Sequence, residues 1–177
     1  MKKIIFLLNA IILCSLSGLS YISAYNLKQI TNNDGLSNSS VMNLYQDSNN
    51  FMWFCTFDGL NMYDGSKIHV YRSQNSSTNF SSHVIRQAIE TEPGTYWLIT
   101  NLGLNKFTIK GKKVEKYFTD TDPKIIAKNS KNELFAIVKS GYISYYNNDS
   151  KSFEDISLPG LNNFWVRSFN FDSQDNL

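Results

Sequence analysis

VMNLYQDSNNFMWFCTFDGLNMYDGSKIHVY, Val41 to Tyr71, holds four short apolar runs separated by turn residues. The runs are Val41–Tyr45, Met52–Thr56, Leu60–Tyr63 and Lys67–Tyr71. Each is rich in aromatic or β-branched side chains, which fit a pleated surface better than a helix. Asp47-Ser48-Asn49-Asn50, Asp58-Gly59 and Asp64-Gly65 fill the gaps. An Asp side chain bonds the backbone ahead of it and Gly accepts positive φ, so these are turns. The two Asp-Gly pairs read as two-residue hairpin loops.

The stretch recurs. VIRQAIETEPGTYWLITNLGLNKFTIKGKKVEKY runs from Val84 to Tyr117, with strands expected at Val84–Ile89, Tyr96–Thr100, Leu104–Phe107 and Val114–Phe118. A third copy, Ile125 to Ile156, gives Ile125–Lys128, Leu134–Val138, Tyr142–Tyr146 and Phe153–Ile156. A fourth starts at Val166 as VRSFNFDSQDNL and reaches Leu177. Trp53, Trp97 and Phe135 share one column of the repeat, 44 and 38 residues apart. Leu177 falls in the column of Met52, Tyr96 and Leu134, so an aromatic residue is expected to follow it.

A period of roughly 40–50 residues filled with four short strands is that of a propeller blade. Helical repeats of that length need apolar residues at three- and four-residue spacing, and no window supplies it. The second run of each copy, MWFC, YWLI or LFAIV, does not alternate, as expected where both faces of a sheet are covered. The fold class expected is all-β: an incomplete β-propeller of about three four-stranded blades, residues 41–71, 84–118 and 125–156, plus the first strand of a fourth, 166–177. Residues 25–30, YNLKQI, precede the first copy and are expected to be an outer strand that closes the ring, with partners beyond Leu177. The outer faces of an unclosed stack would be wet and apolar, so residues 25–177 alone are expected to be poorly soluble or dimeric. The run WVRSFNF would be an unpaired edge.

Residues 1–24 carry Lys2 and Lys3, an apolar run from Ile4 to Leu16, and a small, polar stretch ending at Ala24. That order is expected of a cleaved signal peptide and an exported, periplasmic chain. Seventeen basic residues stand against fifteen acidic ones, and Lys2 and Lys3 account for the excess, leaving no footprint for nucleic acid. Without Cys14, Cys55 is the lone cysteine and lies in the most apolar run, where burial is expected.

Chemistry is sparse. His69 and His83 have no acidic or Cys partner at metal-ligand spacing. Glu90 and Glu92 flank the turn Pro93-Gly94 and are expected to be solvated; Asp120 and Asp122 mark a loop between blades. Asn32-Asn33-Asp34-Gly35 lacks the Glu of a calcium loop and reads as a turn. Trp53, Trp97, Tyr63 and Tyr71 are expected to pack in the core rather than stack on sugars. No catalytic, cofactor-binding or metal-ligating residue is assigned, no cofactor is implied, and the residues that would hold a ligand are not identified.

Asp34-Gly35-Leu36-Ser37-Asn38, Val41, Gln46-Asp47, Met52-Trp53, Thr56, Asp58-Gly59-Leu60 and Tyr63-Asp64-Gly65 together resemble the two-component regulator propeller repeat. The second copy keeps Trp97, Thr100, Gly103-Leu104 and Phe107; the third keeps Gly141 and Tyr145. Phe54-Cys55 and Asn49-Asn50 depart from the pattern. The resemblance implies the periplasmic part of a hybrid two-component sensor of the Bacteroidetes type, membrane-anchored and dimeric, that responds to an oligosaccharide and controls genes through kinase and receiver parts not found in these residues. It implies the rest of the same propeller as a partner and no catalysis in this chain. A fragment of a secreted propeller enzyme acting on polysaccharide, and a non-signalling adhesion or scaffold propeller, are the alternatives. Charged clusters at the loop ends of the blades would favour the enzyme.

Overall fold

The computed structural model describes residues 27–73, 78–139, 142–158 and 166–177. The expected signal peptide, 1–24, lies outside them. Twelve strands form three four-stranded antiparallel sheets. The first holds β1 (Val41–Gln46), β2 (Met52–Thr56), β3 (Gly59–Tyr63) and β4 (Ile68–Tyr71). The second holds β5 (Ile85–Glu92), β6 (Thr95–Thr100), β7 (Gly103–Thr108) and β8 (Lys113–Tyr117). The third holds β9 (Ile125–Lys128), β10 (Leu134–Ile137), β11 (Tyr142–Asn147) and β12 (Ser152–Ser157). Each sheet keeps its strands in chain order. The leading strands β1, β5 and β9 neighbour one another across the sheets, so they form the inner edges of a propeller arc.

Alternation along β6 shows how the blades stack. Tyr96 and Leu98 join Trp53, Cys55, Leu60 and Met62 of the first blade in one core. Trp97 and Ile99 face the other way, onto Ile126, Leu134, Ala136 and Tyr146 of the third blade. Every residue of β6 is buried as a result, and a Leu or Ile sealed this way contributes about 1.5–3 kcal/mol. The end blades differ from the sequence expectation. In β2 only Trp53, Cys55 and Thr56 are buried, while Met52 and Phe54 turn to a face that carries Leu44 at 55% exposure. In β10, Phe135 faces Phe171 at 4.8 Å rather than another sheet. A run without polar residues therefore marks burial on both faces only where a blade has two neighbours.

The hairpin loops also shift. Thr56 pairs with Gly59, so the β2–β3 loop is Phe57-Asp58 and Gly59 opens β3 at φ 110°. A Cβ there would lie 2.5 Å from the carbonyl oxygen of Tyr71. Residues 64–67 form a four-residue loop in place of a two-residue one, because Asp64 Oδ1 accepts from the N–H groups of both Ser66 and Lys67, at 2.8 and 2.7 Å.

Residues 27–30 join no strand, and Tyr25 and Asn26 lie outside the described residues. Leu36-Ser37 instead repeat the contacts that Phe80-Ser81 make ahead of the second blade. Leu36 and Phe80 are both buried. Ser37 N–H donates to Asn61 Oδ1 at 2.9 Å and Asn61 Nδ2 donates to Ser37 Oγ at 2.8 Å; Ser81 and Asn105 repeat both bonds at 2.8 Å.

Residues 166–177 join no ladder, yet they carry the inner-edge turn of the first and third copies. Asp172 Oδ1 accepts from the N–H groups of Gln174 and Asn176 at 2.8 and 2.9 Å. Asp47 treats Asn49 and Phe51 in the same way, and Asn129 treats Lys131 and Glu133. The fourth residue of each turn, Asn50, Asn132 or Asp175, has φ 65°, 62° or 60°, a conformation that Asn and Asp tolerate.

Candidate functional site

Inner strands bring three segments together around one cleft. Gln87 and Ile89 of β5, Ile125, Ile126 and Ala127 of β9, and Ser168–Asn170 of the fourth copy line a volume of about 590 Å³. Gln87 clamps β9: its Nε2 donates to Ile126 O at 2.9 Å and its Oε1 accepts from Ile126 N at 3.1 Å. The amide thus takes the place of a neighbouring strand on the β9 edge. Arg86, one residue earlier, donates to Thr100 O at 3.2 Å, to Pro123 O, and to Asp122, which also receives Lys124. Hydrogen bonding to Lys124 is the main cause that holds the Asp122 carboxyl below its usual range, and the nearby Arg86 charge adds to it.

A second cleft of about 460 Å³ opens between the second and third blades at the hairpin end, lined by Glu92, Lys106, Lys113, Glu115, Tyr146, Asn148 and Lys151. Lys106 lies 5.5 Å from the ring of Trp97 and 5.0 Å from that of Tyr146. Lys113 and Glu115 pair at 2.9 Å. The mixed signs leave this cleft largely self-neutralised.

Glu90 corrects the sequence reading. It is 4% exposed, not solvated: Oε2 accepts from Ser48 N–H at 2.8 Å and Oε1 from Gly94 N–H at 2.9 Å. A buried carboxylate is tolerable when hydrogen-bonded, and here it ties the first blade to a turn of the second. Glu92, two residues on, is exposed. Asp47, read as a turn residue alone, also binds both aromatics of the first interface. Its Oδ2 accepts from Trp53 Nε1 at 2.8 Å and Tyr96 OH at 2.6 Å. The Asn61 and Asn105 clips escaped the sequence reading altogether, although Ser37 and Asn61, and Ser81 and Asn105, share a separation of 24 residues.

The remaining candidates stand apart from the clefts. His69 pairs with Asp64 at 2.9 Å, and His83 offers its carbonyl to Gly59 N–H at 2.7 Å. Asn32–Asp34 form one 3-10 turn capped by Thr31. Trp53 and Trp97 are fully buried, with Tyr71 stacked 5.8 Å from Trp53. Tyr63 lies outside the core and takes a 2.6 Å hydrogen bond from Lys28. Among the described residues no three His, Cys, Asp or Glu cluster in a way that could hold a metal, and no helix is long and apolar enough to cross a membrane.

The family described as two component regulator propeller matches residues 35–58. The match spans the last residues of the connector and the first two strands of the first blade. The matched segment includes Ser37, Asp47, Trp53 and Thr56, the residues that fix the first blade to its connector and to the second blade. A curated relative, Histidine kinase P4 of Formosa agariphila, is 42% identical over 60 residues, which is 33% of this chain and 4% of the kinase. Among solved structures, a domain described as the extracellular part of a hybrid two component system of B. thetaiotaomicron superposes with TM-score 0.62 at 18% identity, over 75% of this chain and 19% of that one. PorZ, a surface component of the type-IX secretion system of Porphyromonas gingivalis, gives 0.60 at 12% identity, over 80% and 20%. Virginiamycin B lyase of Staphylococcus aureus gives 0.59 at 17%, over 76% and 46%. At these identities the likeness is one of fold: all three confirm the propeller arc. The chain spans less than half the length of each.

Proposed function

We propose that this chain forms the opening blades of an exported sensor propeller, which binds an oligosaccharide and reports its occupancy to a two-component kinase elsewhere in the same polypeptide. The single observation that carries this reading is the regulator propeller repeat at 35–58, located on the residues that lock blade one to blade two. The stretch shared with a histidine kinase supports it. Residues 1–24 would direct export.

The inner cleft suits such a ligand. Ser168 and Asn170 offer hydroxyl and amide groups to sugar hydroxyls, whereas Trp53 and Trp97 are too buried to stack on a ring. The cleft draws on β5, β9 and the fourth copy at once, so a bound molecule would bridge separate blades. A ligand that binds one blade arrangement better than another shifts the population toward it by its differential affinity. Binding would therefore be transmitted as a small change in blade spacing, with no bond made or broken by these residues.

Isothermal titration of the chain against a panel of plant and algal oligosaccharides tests this. Saturable binding that Asn170→Ala weakens supports the reading. Turnover of a panel member by the chain alone would place it instead with the propeller lyases, and silence across the panel would remove the saccharide.

A further inference from the structure

The two interfaces between blades share one plan and part at two positions. Between the first and second blades, Tyr71 lies 5.8 Å from Trp53 and 5.2 Å from Phe107. Between the second and third, Tyr117 lies 5.2 Å from Trp97 and 5.6 Å from Tyr146, so the same aromatic trio recurs. Met62 pairs with Trp53 across the β2–β3 ladder, and Lys106 pairs with Trp97 across the β6–β7 ladder. Ile109 follows Phe107 by two residues, and Asn148 follows Tyr146 by two. Met62 lies in the first core and Ile109 packs against it. Lys106 and Asn148 instead line the cleft of about 460 Å³ at the hairpin end. The second interface thus has a cation and an amide where the first has an apolar seal. It forgoes buried apolar area there, and the space left is of the size that small molecules occupy.

Charge in this cleft is not fully spent. Lys106, Lys113 and Lys151 line it against Glu92 and Glu115, one positive charge in excess. Glu115 is already served: Lys113 pairs with it at 2.9 Å and Tyr117 OH donates to it at 3.2 Å. Lys106 Nζ has no hydrogen bond or ion pair among the described residues and lies over the Trp97 and Tyr146 rings, 5.5 and 5.0 Å from their centres. Attraction to the ring faces steadies an ammonium while leaving its three N–H donors free. Lys151 is exposed in the β11–β12 loop and also has no ion pair among the described residues. Glu92 bounds the cleft from the end of β5, two strands away from β7, roughly 10 Å at ordinary strand spacing.

We infer that this cleft is a second ligand site, for a small hydroxylated acid, with Lys106 and Lys151 holding its carboxylate or phosphate and Asn148 and Glu92 meeting its hydroxyls. The inference is independent of the inner cleft and of the saccharide reading given to it. Bonds from an ammonium to an oxyanion are charge-assisted and stronger than neutral ones, and the compact charge of Lys suits a carboxylate or a phosphate alike. Glu92 accepts from hydroxyl groups and repels a second anion, so a molecule with one acidic end and one hydroxylated end fits the cleft in one direction. Lys106 belongs to the second blade, and Asn148 and Lys151 to the third. A ligand held by all three therefore ties these two blades together.

The test is isothermal titration of the full chain with glucuronate, glucose 6-phosphate, glucose and inorganic phosphate. Lys106→Met gives the second interface the side chain of the first, and Lys151→Gln neutralises an exposed position. Lys116→Gln, exposed on β8 and outside the cleft, is the control. Glucuronate or glucose 6-phosphate should bind at least tenfold more tightly than glucose, and whichever binds identifies the oxyanion. Lys106→Met and Lys151→Gln should each weaken that binding about tenfold, the control should leave it unchanged, and added salt should reduce it. Lys106→Met should melt no lower than the parent chain, which separates lost binding from lost folding. Binding of neither sugar anion, a control as damaging as the two variants, or variants without effect overturns the inference. Inorganic phosphate binding as tightly as the sugar anions also overturns it, since the cleft would then hold an adventitious ion only.

Discussion

Tyr96 of the second blade donates a 2.6 Å hydrogen bond to Oδ2 of Asp47 in the first, the same oxygen that receives Trp53 Nε1 at 2.8 Å. One carboxylate thus serves a turn, the column aromatic of its own blade, and the neighbouring blade. Asp47 is 5% exposed. Replacing it by Ala would leave two buried donors without an acceptor, and the expected loss is about 2–4 kcal/mol. Equilibrium urea unfolding checks this, and Tyr96→Phe, which removes one donor, should cost less.

The same site has a pH signature. Burial alone would raise the Asp47 carboxyl, but the hydrogen bonds from Tyr96, Trp53 and the N–H groups of Phe51 and Asn49 outweigh it and hold it below its ordinary value. A carboxyl depressed in the folded state contributes stability that is complete above its unfolded pKa of about 3.9 and fades as pH falls through the folded value. Unfolding free energy measured from pH 6 downward should drop below about pH 4, and Asp47→Asn should flatten that drop.

Gly59 and Gly65 separate two kinds of glycine requirement. Both have positive φ, at 110° and 95°, but only Gly59 has a backbone oxygen where a Cβ would stand. Gly65→Ala should cost about 1 kcal/mol for the backbone conformation alone. Gly59→Ala should cost clearly more, because Tyr71 O is fixed in the β3–β4 ladder. Thermal melts of the two variants side by side would show the difference, and equal melting temperatures would refute it.

Cys55 is fully buried in the first core, and burial pushes its thiol far above the ordinary range. It should resist a thiol reagent at neutral pH until the chain unfolds. Labelling rates with and without denaturant give the answer.

The outward face of the first blade carries Leu44, Met42 and Val41 at 55, 46 and 39% exposure. Contiguous apolar surface of this kind promotes association. Leu44→Lys should raise the concentration at which the chain stays monomeric in size-exclusion chromatography, with little change in melting temperature.

The blades are legible because burial writes a column of aromatics into each copy and turn residues separate its strands. Trp53, Trp97 and Phe135 needed no coordinates to be aligned. Bonds across the repeat were harder. Asp47 reads as a turn residue since its Oδ1 makes a local turn; nothing in the period reveals that Oδ2 points at Tyr96, 49 residues away. Glu90 was misread because a carboxylate beside Pro93-Gly94 resembles any solvated loop acid, and its burial depends on Ser48 of another blade. The Ser–Asn clips were visible in principle as two pairs at one spacing, but small polar residues carry weak signals one at a time.

The sealed second strand of the middle blade has a further meaning for how this stack comes apart. A quasi-one-dimensional array whose centre has two neighbours and whose ends have one should fray inward from both rims. Amide protons of Tyr96 to Ile99 would then be the last to exchange with deuterium, and those of Leu44 and Tyr145 among the first. The middle sheet would act as the seed onto which its flanking sheets condense.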